Sequence, residues 1–181
     1  CIERNFSKND LFVKLYGLYY KNIVKNEVKL ADIKNCDKVL CIGGGPIPST
    51  AIEVVNLTDA NVHVIDMDGD AVACARDLVK RLGLNHKIVV GLGRGEDVDL
   101  SPYNVIHVAL QVSPKEAVLK HIWSNCKMGA RIIVRMPKKG LRHFYSNITD
   151  GFLERYSDYI RFYSSKFAAN TIDKTLLMVK G

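Results

Sequence analysis

The sequence predicts an α/β protein organised around a doubly wound, mostly parallel sheet. Three observations lead there. An apolar run, Val39-Leu40-Cys41-Ile42, breaks into Gly43-Gly44-Gly45-Pro46-Ile47-Pro48-Ser49-Thr50, the pattern of a buried strand, a ligand-approaching turn and a helix start. Short β-branched runs then alternate with helical stretches, which implies parallel strands joined by right-handed crossovers. Near the end, two extended runs follow one another with no helix between them, as antiparallel neighbours do.

Each element has its own local warrant. Phe12, Tyr16, Tyr19, Ile23 and Leu30 mark the apolar stripe of an amphipathic helix, expected to form a short N-terminal arm over residues 1–36. A strand is expected near 38–42, a helix over 49–56, a strand over 61–66, a helix over 70–82 and a strand over 87–91. Asp68 stands where it can cap the second of these helices. Tyr103 to Leu110 reads as a fourth strand, Pro114 to Ser124 as a helix with Ser113 as its N-cap, and Ala130 to Met136 as a fifth strand. After Pro137 a helical stretch near 141–155 precedes the extended runs Tyr159 to Ser164 and Thr175 to Val179. Seven strands in this order, the last one antiparallel, are the Rossmann-like arrangement of the class I methyltransferase fold. No repeat or linker divides the 181 residues, so one domain is expected.

The 48% hydrophobic and 25% charged balance excludes disordered and fibrous classes. No apolar segment approaches the ~20 residues that a membrane helix needs, and no secretory pattern opens the chain, so a cytoplasmic protein without membrane contact is expected. The five cysteines form no CxxC pair, which argues for reduced, mostly buried thiols and against a metal site. The net charge of +7 gathers late in the chain: Arg131, Arg135, Lys138, Lys139, Arg142 and His143 crowd around one strand end. They either hold an anionic group or form a solvated basic face.

The spelling of the glycine turn selects its ligand. A dinucleotide fingerprint reads GxGxxG, but here Pro48 replaces the third glycine and Pro46 removes an amide donor. A phosphate-free cofactor such as S-adenosylmethionine loses less by that change than NAD would. Gly43, Gly44, Gly45 and Pro46 are the expected cofactor-binding turn. Asp66 ends the second strand 23 residues after Gly43, where its carboxylate can accept from both ribose hydroxyls, with a structural cap as the competing role. Met67 follows, in reach of an adenine ring. In Gly91-Leu92-Gly93-Arg94-Gly95-Glu96-Asp97, the backbone at Gly93 can approach the adenine edge, and Glu96 or Asp97 can contact it. Ala109 and Gln111 end the fourth strand beside the expected sulfonium, although Gln111 also reads as a surface residue.

With these residues placed, the chain resembles the nicotianamine synthase-like proteins, particularly the archaeal ones. The likeness rests on the glycine turn with its Pro-x-Pro and Thr50, on Gly129-Ala130-Arg131-Ile132-Ile133-Val134-Arg135 followed by Gly140-Leu141-Arg142-His143-Phe144-Tyr145, and on Asn170-Thr171 before the last strand. It runs from about Tyr19 to the end, and Tyr19-Tyr20-Lys21-Asn22 is similar to the start of a family helix. The resemblance implies S-adenosylmethionine as cofactor and transfer of an aminocarboxypropyl group.

In that cofactor the sulfonium activates three carbons, and alignment decides which is attacked. The residues leave methyl and aminocarboxypropyl transfer both open. The expected acceptor is a small-molecule amine or similar nucleophile, and the basic residues leave room for an anionic one. Tyr19, Tyr20 and Glu27 are candidate acceptor contacts, with Glu27 as a base and Tyr20 beside it; core aromatics and a solvated glutamate are the competing reading. Arg135 can hold a carboxylate through a bidentate pair, and Arg142 is a second substrate contact. On that basis Arg135→Ala is expected to impair turnover far more than folding. The rival functions are a nicotinamide-dependent oxidoreductase and a non-catalytic module that binds RNA, which the scarcity of stacking aromatics among the basic residues disfavours. Oligomeric state is open, a homodimer included.

Overall fold

The computed structural model describes residues 10–141, 145–146, 148–164 and 171–181, with side chains from Tyr20 onward except those of 139, 157 and 162–164. In chain order its elements are α1 (Asp10–Leu30), β1 (Lys38–Ile42), α2 (Ser49–Thr58), β2 (Asn61–Asp66), α3 (Gly69–Arg81), β3 (Ile88–Leu92), β4 (Val105–Val108), α4 (Lys115–Asn125), β5 (Arg131–Pro137), α5 (Asp150–Arg155), β6 (Ile160–Ser164) and β7 (Ile172–Val179). Seven strands form a sheet in the order β3-β2-β1-β4-β5-β7-β6. Strands β1 to β5 are parallel, and β7 runs antiparallel between β5 and β6. The seven-stranded, methyltransferase-type expectation holds.

The central strands are apolar because both their faces are covered. On one face Leu40, Ile42, Ile65, Ile106 and Val108 pack with Val118, Leu119 and Ile122 of α4. On the other, Val39, Cys41, Val62, Val64 and Val105 meet α2, α3 and the end of α1. Cys41 belongs to this core, and burial pushes its thiol up to about 12. Cys126 is also buried, whereas Cys36 is exposed.

Several local expectations change. The buried side of α1 carries Ile23, Val24 and Glu27, with Ala31 just beyond the helix, so the stripe contains a carboxylate and Leu30 lies only partly buried. Asp68 does cap α3, accepting from the amides of Asp70 and Ala71. Ser113 does not cap α4; Pro114 holds the cap position without a side-chain bond, and the Lys115 amide donates to Ser146 Oγ at 2.8 Å. A hydroxyl distant in sequence therefore replaces the local one. Within the stretch expected to be helical at 141–155, the α-helix among the described residues is α5, which starts where Thr149 Oγ1 accepts from the Phe152 amide. Strand β4 stops at Val108, because the carbonyls of Ala109 and Leu110 accept from Lys115 rather than continuing the ladder.

Candidate functional site

The carboxyl ends of β1, β2 and β4 open on two adjoining hollows. Such strand ends at the point where crossovers diverge are where doubly wound sheets bind ligands. The first hollow, about 640 Å³, lies among Asp66, Met67, Gly93, Glu96, Gln111 and Gly43. The second, about 470 Å³, lies among Tyr20, Gly44, Gly45, His107, Ala109 and Arg135, and shares Gly43 and Gln111 with the first.

The glycine turn shapes the wall between them. Gly43 and Gly45 adopt φ of 80° and 63°, a region that side chains disfavour. At Gly44 a Cβ would come within 2.1 Å of Val64 Cγ1, so the turn lies flat on β2 only because it has no side chain. The amides of Gly43 and Gly44 donate to the Ile65 carbonyl at 2.9 and 3.2 Å. Beyond the turn, Ser49 and Thr50 bring the start of α2 to the second hollow. No acidic residue occupies its first turn. Helix N-terminal amides there favour a negative group.

Asp66 is fixed at the mouth. Its Oδ2 accepts from the Gly45 amide at 2.8 Å and its Oδ1 from the Asp68 amide at 3.0 Å. Two amides orient the carboxylate and leave acceptor capacity for a ligand. Gln111, which also reads as a surface residue, is anchored: its Nε2 donates to the Gly43 carbonyl at 3.0 Å, joining the end of β4 to the turn. Met67 is 63% exposed on the rim of the first hollow. Of the two acidic candidates in the following loop, Glu96 lines that hollow. Pro46 is buried and faces neither hollow.

Beneath the second hollow lies a buried polar cluster. Glu27 is 2% exposed and Arg135 3%. Arg135 donates from Nε to Glu27 Oε1 at 2.8 Å and from Nη2 to Oε2 at 2.7 Å. Thr175 Oγ1 donates to Oε1 at 3.3 Å, and the Tyr20 ring lies 5.2 Å from the guanidinium carbon. Burial opposes ionisation of Glu27, but Arg135 and His107 outweigh it and bring the carboxyl down to about 2. The solvated reading of Glu27 needs correction, because the residue is buried. Its pairing with Arg135 and His107 makes the carboxylate less ready to take up a proton than an ordinary glutamate. Arg135 does bind a carboxylate in a bidentate pair, but the carboxylate is the chain's own.

Two members of the basic cluster are likewise paired within the chain. Arg131 donates to the carbonyls of Ala31 and Asp32 and pairs with Asp37, so with Arg135 it is neutralised internally. The Tyr19 side chain, Arg142 and His143 lie outside the described residues.

Two buried residues were not singled out by sequence reasoning. Lys115, with no exposed surface, donates from Nζ to the carbonyls of Ala109, Leu110 and Arg135 at 2.8, 2.9 and 3.3 Å. It ties the ends of β4 and β5 together. Burial and Arg135 pull its pKa down to about 7. His107 interrupts an otherwise apolar strand, which was the available signal; for Lys115, at a helix start, there was none.

Comparison with known proteins now bears on this geometry. The family described as nicotianamine synthase protein matches residues 6–172. The chain belongs to the nicotianamine synthase family. Among curated relatives, the L-histidine 2-aminobutanoyltransferase of Yersinia pestis is 31% identical over 120 residues, covering 66% of this chain and 45% of that protein. The chain thus spans under half the length of that relative. Among solved structures, a variant of MtNAS in complex with S-adenosylmethionine superposes with a TM-score of 0.78 at 21% identity, covering 99% of this chain and 72% of that one. MtNAS in complex with MTA and tNA gives the same TM-score at 22% identity, covering 98% and 67%. These structural likenesses place the nicotianamine synthase-family chain in the methyltransferase-type fold.

Proposed function

We propose that this chain binds S-adenosylmethionine across the two hollows and transfers its aminocarboxypropyl group to the amine of a small molecule, releasing methylthioadenosine. The observation that carries the reading is the pair of adjoining hollows at the strand ends, divided by a side-chain-free glycine turn and bordered by an oriented Asp66 carboxylate. The aminobutanoyl group in the relative's name and the MTA in the MtNAS complex favour this transfer over a methyl group. Family membership disfavours the oxidoreductase and RNA-module alternatives.

In this reading Asp66 accepts from the ribose hydroxyls. Met67 lies against adenine, and Gly93 and Glu96 meet its edge. The bare backbone of Gly43 to Gly45 faces the cofactor's amino-acid portion. Ala109 and Gln111 border the sulfonium, while Tyr20 and Arg135 line the approach of the acceptor. L-Histidine is the first acceptor to try, given the relative's name, and the amino-acid carboxylate makes such an acceptor anionic. Because the sulfonium is itself reactive, the protein chiefly aligns the two partners and excludes water. The cytoplasm, where the cofactor is made, is the proposed location.

Titration calorimetry tests the binding mode. The full chain should bind S-adenosylmethionine, and Asp66→Ala, melting as the parent does, should lose that binding. Undiminished affinity in Asp66→Ala would show that the ribose is held elsewhere.

A further inference from the structure

His107 sits in β4 between Cys41 of β1 and Ile133 of β5. It is 3% exposed and lines the second hollow. Its Nε2 is buried without a hydrogen-bond partner, 3.4 Å from Glu27 Oε2. An orphaned buried polar atom is destabilising, so its retention asks for a reason. The surrounding groups are Glu27 and Tyr20 from α1, Arg135 from β5, Lys115 from α4, Cys41 from β1 and Thr175 from β7. Burial and Arg135 lower the imidazole's pKa and favour its neutral form, while Glu27 favours the imidazolium.

Resting on the proposed transfer reaction, we infer that His107 is the catalytic proton acceptor, with Glu27 as its positioning and charge-balancing partner. The acceptor nitrogen forms a bond to the aminocarboxypropyl carbon while the carbon–sulfur bond breaks, its electron pair going to sulfur, which leaves as a neutral thioether. The new nitrogen then carries a positive charge and a surplus proton. That proton passes to His107 Nδ1, and the imidazolium so formed is balanced by the Glu27 carboxylate, 3.4 Å from Nε2. Glu27 Oε2 is the charged group beside Nε2, and its negative charge favours the protonated ring once the proton has arrived. Arg135, in turn, keeps Glu27 ionised and oriented. This arrangement accounts for a carboxylate too acidic to act as the base yet placed next to a neutral imidazole.

The test is His107→Gln in the full chain, with S-adenosylmethionine and L-histidine, following methylthioadenosine and measuring cofactor affinity by calorimetry. Loss of a general base lowers rates about 10²–10⁴-fold. A fall in kcat of that order with near-parental cofactor affinity supports the inference. A variant that keeps the parental kcat and pH profile overturns it. If His107→Gln does not melt cooperatively, the parent's kcat profile decides. An acid limb below pH 6.5 that stays in place across amines of different basicity supports His107, whereas a limb that moves with the amine, or no limb, excludes it. Absence of methylthioadenosine from the parent overturns the transfer reading and this inference with it; its release at the parental rate by His107→Gln overturns this inference alone.

Discussion

At the scale of single residues, the Glu27–Arg135 pair is the sharpest feature. The two charges are buried together, with both guanidinium bonds made and a threonine hydroxyl on one carboxylate oxygen. Removing one member leaves the other charged and unsolvated, which costs about 3–5 kcal/mol. Arg135→Ala should therefore lose roughly that much stability in urea unfolding, contrary to the expectation from sequence that folding would be spared. The double change Arg135→Met with Glu27→Leu should recover most of it, because no charge remains buried. A loss below about 1 kcal/mol in the single variant would mean that water reaches the pair. Glu27 and Arg135 were both visible as candidates in the sequence, but their pairing was not. The helical spacing of Glu27 from Ile23 and Val24 is visible, but its partner lies 108 residues away.

At the scale of elements, the same carboxylate clamps α1 onto the sheet through β5 and β7. Its folded pKa, about 2, lies below the ordinary 4.5, so the clamp contributes fully above pH 4.5 and is lost as pH falls towards 2. Buried His107 acts in the same direction, since the unfolded chain takes up its proton more readily below pH 6.5. Stability measured by urea midpoint should thus decline on acidification from pH 6.5, most steeply below pH 4.5. Equal midpoints at pH 7 and pH 3.5 would contradict the clamp. The elements themselves were largely legible. β1, β2, α3, β5 and β6 fall close to their expected bounds, because apolar period and local caps specify them. Among the exceptions, the first amide of α4 donates to Ser146, β4 ends at Val108 with Lys115 on the carbonyls of Ala109 and Leu110, and β7 starts at Ile172 rather than at Thr175.

At the scale of the whole molecule, alternating strands and helices indicated a doubly wound, mostly parallel sheet, and the spelling of one turn pointed to the ligand class. Pro48 stands where a dinucleotide fingerprint has its third glycine and Pro46 removes an amide donor, which turned the sequence reading toward a phosphate-free cofactor. What the sequence could not convey was the division of labour on the two sides of that turn. Asp66, Met67, Gly93 and Glu96 converge on one hollow, while Tyr20, Ala109 and Arg135 converge on the other through contacts between distant segments. In the proposed reading, the first hollow holds the nucleoside and the second brings acceptor and sulfonium together. The fold is shared with enzymes that attack different carbons of the same cofactor, so the by-product identifies the bond that breaks. The decisive measurement is mass spectrometry of the nucleoside released when the full chain is incubated with S-adenosylmethionine and L-histidine or a cell extract. Methylthioadenosine is the predicted product; S-adenosylhomocysteine in its place would contradict aminocarboxypropyl transfer and make the protein a methyltransferase.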